Sequence, residues 1–159
     1  MDEVENAKDL LKGLIERMGV EVEIEGRLRD GCIWLEVTGD MEGILIGKHG
    51  RTLEALQVIV SRMTCKGAKN PARIVVDVGQ YRQRREESLA KLANRMGEKV
   101  KREGKTVTMG PFNAHDRRII HMALQDDQHV KTESIGEGPL KKIAILPGIR
   151  IGEEPEPLE

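Results

Sequence analysis

The sequence predicts an α+β protein made of two small units in succession, and three observations carry that expectation. Apolar residues switch between the three- to four-residue spacing of helices and the two-residue spacing of strands in two separate cycles, over residues 1–79 and 80–148. A chain of 159 residues with 38% apolar content can fill two modest cores. The charge divides in the same region: residues 1–79 carry 11 Lys and Arg against 14 Asp and Glu, and residues 80–150 carry 15 against 9.

The first cycle opens with Val4, Ala7, Leu10, Leu11, Leu14, Ile15 and Met18, an amphipathic helix over residues 3–18 that Gly19 ends. Val20, Val22 and Ile24 alternate with glutamates as a half-buried strand does, and "CIWLEVTG" after the Asp30-Gly31 turn completes a hairpin. A short helix around residues 41–46 comes next, then a glycine loop and a longer helix with Leu53, Leu56, Val60 and Met63 on one face. "ARIVVDVG", after Pro71, reads as a buried strand, so the order is α-β-β-α-α-β.

The second cycle starts with a long helix from about Tyr81 to Arg102 whose Leu89, Leu92, Ala93, Met96 and Val100 share a face. "KTVTMG" follows as a strand, "NAHDRRIIHMALQD" as a helix, and "HVKTES" and "LKKIAILP" as two strands joined through Gly136, Gly138 and Pro139. Asn113 is placed to cap the second helix, with Asp116 reaching back from the third position. Residues 149–159, rich in glutamate and proline, read as an acidic disordered tail.

Several function classes fall away on composition. Cys32 and Cys65 have no paired spacing, and the acidic N-terminus carries no signal-peptide pattern, so the expected home is a reducing cytoplasm. No stretch reaches the length of a membrane span. His49, His115, His121 and His129 match no metal-ligand spacing, and no metal or other cofactor is expected. Trp34, Tyr81 and Phe112 are the whole aromatic inventory, too few for a sheet on which bases stack.

The segment "GILIGKHGRTLEALQ" carries the chemistry of the first unit. A nucleotide-hydrolysing P-loop is excluded: Gly43 to Gly47 is one residue too short, His49 stands where the magnesium-binding hydroxyl belongs, and the loop follows a helix rather than a strand. The alternative is a G-x-x-G loop between two helices, where Gly47 and Gly50 let a nucleic-acid backbone come close and Lys48 supplies charge. His49 adds a hydrogen-bonding group, and the helix starting near Arg51 offers free N–H groups and its positive dipole end. With "ILIGKHG" inside an α-β-β-α-α-β order, residues 3–79 resemble the K-homology (KH) domain of the prokaryotic type, type II. That resemblance implies a loop clamping about four backbone nucleotides, and bases in an apolar groove between the second loop helix and a sheet edge. Ile44, Ile46 and Leu53 are candidates to line or support the groove, although plain core packing is the simpler explanation of each, so only the loop and Arg51 are kept as site residues.

In the second unit Arg117 and His121 stand four residues apart in "DRRIIHMAL", with Arg118 beside them and Ile119, Ile120, Ala123 and Leu124 on the other side. An Arg-x-x-x-His pair preceded by "MGPFNAHD" and followed by "ESIGEGPLKKIAILP" resembles the small single-stranded nucleic-acid-binding domain named for that pair, with helices on a three-stranded sheet. A KH domain followed directly by this domain is similar to the Jag (SpoIIIJ-associated) family of bacterial RNA-binding proteins. The resemblance implies a non-enzymatic binder of single-stranded RNA, or of single-stranded DNA, acting as a post-transcriptional or cell-envelope regulator. Its site residues would be Gly47, Lys48, His49, Gly50, Arg51, Arg117, Arg118 and His121. A protein-interaction adaptor, docking a protein partner or a second KH protein, is the alternative. Many family members carry a further small N-terminal domain, whose functions do not transfer to a sequence beginning at the KH helix. Finally, Lys91, Arg95, Lys99 and Arg102 lie within about a quarter of the long helix's circumference, a basic stripe suited to a phosphate backbone. Glu87 with Lys91 and Glu98 with Arg102 have the spacing of intrahelical ion pairs.

Overall fold

A computed structural model describes residues 3–41, 43–66 and 72–148, so the acidic segment 149–159 and Pro71 lie outside the described residues. The chain divides into two separately packed units, Met1–Gln83 and Arg84–Glu159.

In the first unit, α1 (Glu3–Arg17) is followed by β1 (Glu23–Arg29) and β2 (Cys32–Thr38). A single 3-10 turn (Lys48–Gly50) then leads into α2 (Arg51–Thr64), and β3 (Arg73–Val78) completes the sheet. Its order is β1-β2-β3. The hairpin pairs β1 with β2 antiparallel, Glu23 opposite Thr38 and Arg29 opposite Cys32. β2 and β3 run parallel, Val37 opposite Val78. A parallel pair needs a long crossover, and α2 supplies it. Leu11 and Ile15 of α1, and Leu53, Leu56 and Val60 of α2, pack on Ile33, Leu35, Val37, Ile74 and Val76 of the sheet.

Three details differ from the periodicity. The first strand starts at Glu23 rather than Val20, although Val20 and Val22 still pack against the core. Met63, expected on the buried face of α2, is 44% exposed, because the buried stripe runs through Leu53, Leu56 and Val60. Residues 44–46 form turns rather than the helix expected around 41–46. There the Asp40 carboxylate accepts the N–H of Ile44 (3.0 Å) and of Leu45 (2.9 Å), closing the segment with a side chain where a helix would use carbonyls.

α3 (Tyr81–Glu103) starts on groups of the first unit. Asp77 Oδ1 accepts the Arg82 N–H at 3.3 Å and Glu36 Oε1 accepts the Gln80 N–H at 3.1 Å. From Arg84 onward it belongs to the second unit, with β4 (Val107–Phe112), α4 (Ala114–Leu124), β5 (Val130–Ile135) and β6 (Lys141–Pro147). This sheet is antiparallel in the order β4-β6-β5. Leu89, Ala93 and Val100 of α3 meet Ile120 and Leu124 of α4 over Val130, Ile143 and Ile145. Gly97 is buried where α3 passes α4; a Cβ there would lie 3.0 Å from the Leu124 side chain. Asn113 caps α4 as expected, its Oδ1 accepting the Asp116 N–H at 2.8 Å. The Asp116 carboxylate, itself 3% exposed, takes the Arg85 guanidinium at 2.7 Å and so ties the start of α4 to α3.

At the other end of α3, Lys101 bonds Asp127 and Glu98. The hydrogen bond from Lys101, helped by the His129 N–H, holds the Asp127 carboxyl below its ordinary range, and the same contact raises Lys101. A depressed carboxyl contributes stability above its unfolded value and loses it as pH falls through the folded one; a raised lysine loses its share only in alkali. Asp127→Asn should therefore speed amide exchange in the last turn of α3 at neutral pH, and the difference from the parent should close in acid. A difference independent of pH would assign the effect to something other than this pair.

Candidate nucleic-acid interface

Gly47 (φ 68, ψ −173) occupies a region open essentially to glycine alone, and a Cβ there would collide with Thr52 Oγ1. Gly50 is left-handed (φ 80, ψ 12) and buried, and a Cβ on it would come within 2.8 Å of the Tyr81 ring. Both glycines are thus required by the protein's own packing. Their absent side chains make room for Thr52 and Tyr81, whereas the sequence suggested room for a ligand. What the loop offers outward is the exposed side chains of Lys48 and His49, the latter with left-handed backbone (φ 56, ψ 28), and of Arg51.

The first N–H groups of α2, expected to be free for a phosphate, are used internally. Arg51 N–H donates to the Lys48 carbonyl, and those of Thr52 and Leu53 donate to the Ile46 carbonyl at 3.1 and 3.3 Å. Of the groove candidates, Leu53 is core at 2% exposure, Ile46 packs on the core, and Ile44 is 43% exposed. The open edge of β3 is closed by side chains. Val76 N–H donates to Gln57 Oε1 at 3.1 Å, the Val76 carbonyl accepts Arg82 Nε at 3.1 Å, and Arg82 Nη2 reaches Gln57 Oε1 at 2.7 Å.

In the second unit α4 places Arg117 and His121 over β5. Arg117 Nη1 donates to Ser134 Oγ at 2.8 Å, and His121 Nδ1 lies 2.6 Å from Thr132 Oγ1. Arg118 joins them around a cleft of about 250 Å³ whose lining includes Ala114, Glu133 and Ile143. Arg117 Nε is buried with no hydrogen-bond partner among the described residues, a donor that costs free energy until an acceptor reaches it. Thr132 and Ser134 are absent from the sequence-derived site. Their two-residue spacing in "VKTES" puts them on one face of a strand, but which face meets α4 depends on packing.

Residues 5–78 match the family described as KhpA/KhpB, KH domain, and residues 87–147 match the family of domains named for the Arg-x-x-x-His pair. Fold and site together define a two-module protein, a KH domain followed by an Arg-x-x-x-His domain. The chain belongs to the Jag (SpoIIIJ-associated) family, in which these modules occur in this order. It is 41% identical over 128 residues to the RNA-binding protein KhpB of Clostridium symbiosum, covering 80% of this chain and 58% of that one. Against the RNA-binding protein KhpB of Lactiplantibacillus plantarum it is 31% identical, over 86% of this chain and 42% of that one. The protein of the same name in Bacillus subtilis is 27% identical, over 91% and 71%. The chain thus spans about half the length of the first two relatives.

Proposed function

We propose that this chain binds single-stranded RNA without acting on it chemically, holding phosphates at the Gly47–Gly50 loop with Arg51 and in the cleft of Arg117, Arg118 and His121. Residues 1–79 would form the first module and 80–148 the second. The observation that carries this reading is the α4 cleft: two arginines and a histidine converge beside two hydroxyls, and one guanidinium N–H is buried without an acceptor among the described residues. A phosphate oxygen is the acceptor such a group suits. The names of the KhpB relatives point to RNA, and the scarcity of aromatic side chains points to backbone contacts rather than stacked bases.

Binding through phosphates makes affinity fall with salt, with a log–log slope of about −0.7 per phosphate neutralised on a single strand. Titrating a single-stranded RNA at several salt concentrations should give a slope of several contacts; a flat response would contradict the backbone clamp. A second reading, a protein-docking adaptor, is favoured by the exposure of Val58 (56%), Ile59 (44%) and Met63 (44%) on α2. Ultraviolet crosslinking in cell extract separates the two. RNA carried by the parent and lost with Arg117→Ala/His121→Ala supports the binder, and a parent that carries none supports the adaptor.

A further inference from the structure

α3 carries a row of exposed cations outside both of these sites. At 3.6 residues per turn, Arg84, Lys91, Arg95 and Arg102 fall within about 40° of arc and extend over about 27 Å, with Lys99 beside them. Arg84, Ser88, Lys91 and Arg95 line a shallow cleft of about 650 Å³, bordered by Glu87 and Leu92. We propose that this ridge is a further contact surface for the phosphate backbone of RNA, an inference that rests on the RNA-binding reading and extends it.

The ordinary explanation of such a row is a solvated helix face steadied by intrahelical ion pairs, and the structure weakens it. Glu98, spaced to pair with Arg102, bonds Lys101 at 2.8 Å, while Arg102 turns to Glu103 at 3.4 Å. No ion pair among the described residues engages Lys91, Arg95 or Lys99. Lys91 with Arg95 and Arg95 with Lys99 are like charges one turn apart, an arrangement that works against the helix unless something anionic covers it. The ridge lacks aromatic side chains and repeats its charge at helical spacings of three, four or seven residues. A sequence-blind polyanion fits that pattern, with the backbone N–H groups of α3 bonded along the helix and only side chains facing out.

The test compares full-length chains by titration with a single-stranded RNA of some thirty nucleotides over a range of salt. Lys91→Glu/Arg95→Glu and the neutral Lys91→Gln/Arg95→Gln keep good helix formers at exposed positions, and circular dichroism checks their fold. Lys12→Glu/Lys142→Glu applies the same change of net charge elsewhere. The proposal expects both ridge variants to bind several-fold more weakly or worse, with the neutral variant's salt slope shallower by about 1.4, two contacts at about 0.7 each. The elsewhere variant should lose less and keep its slope. Ridge variants with the parent's affinity and slope would overturn the proposal, and so would equal losses in the ridge and elsewhere variants, which mark general electrostatics. In both of those cases the loop and cleft reading survives if Arg117→Ala/His121→Ala still weakens binding. A parent chain that binds no RNA overturns both.

Discussion

Removing either proposed site should cost far more on a long RNA than on a short one. Lys48→Asp/His49→Asp sets carboxylates against phosphate on an exposed loop whose backbone is held by Gly47, Gly50 and the Ile46 carbonyl. The loop should keep its shape and lose its ligand. Arg117→Ala/His121→Ala empties the α4 cleft while leaving Ile120 and Leu124 in the core. Two sites on one chain convert the second binding event into an intramolecular one, at an effective concentration that reaches roughly millimolar for short connections, and avidity gains of about 10²–10⁴ follow. Each double variant should therefore bind a long oligonucleotide about a hundredfold more weakly, and the oligonucleotide just long enough for one site much less so. Equal losses on long and short RNA would mean that only one module binds. Intact circular dichroism is required of both variants, since a collapsed fold would produce the same loss for another reason.

The largest stability effect is expected at Arg85 and Asp116. Asp116→Ala removes the partner of a mostly buried guanidinium and unties the start of α4, and breaking a buried pair from one side costs about 3–5 kcal/mol. Arg85 keeps 20% exposure and can turn partly to water, which places the expectation at about 3 kcal/mol. Arg85→Met/Asp116→Leu, which replaces both charges by apolar groups, should recover most of the loss. Amide exchange resolved by residue is the measurement, because a chain of two units need not unfold in one step. Protection should fall in α4, β5 and β6 and stay unchanged in β2 and β3. Loss spread evenly over both units, or a double variant no better than the single, would show that the pair is not what holds α4 in place.

The start of α4 marks the limit of what spacing can tell. Asn113 is legible as a cap because capping is local, set by a few consecutive residues. Spacing assigns Asp116 to the same box and is silent on Arg85, 31 residues away in sequence, whose guanidinium its carboxylate accepts. A partner that distant appears only when α3 has packed on α4. Likewise Leu53, Leu56 and Val60 are legible as the buried stripe of α2, whereas Met63, on the same sequence pattern, ends 44% exposed, an outcome set by packing rather than by spacing.

By itself the sequence determined most of the alternation of helices and strands, the succession of two units, the loop between Gly47 and Gly50, and the pairing of Arg117 with His121 on one helix face. Each is a short-range property, written in periods of two or three to four residues and in the backbone freedom of glycine. Only the tertiary structure decided what those groups face. It turned the glycines toward Thr52 and Tyr81, and bonded the first N–H groups of α2 to the Ile46 and Lys48 carbonyls. It closed the β3 edge with Gln57 and Arg82, and brought Thr132 and Ser134 under His121 and Arg117. The reason is physical: a buried N–H or carbonyl must find a partner wherever packing puts one, and that choice depends on contacts between segments far apart in the chain.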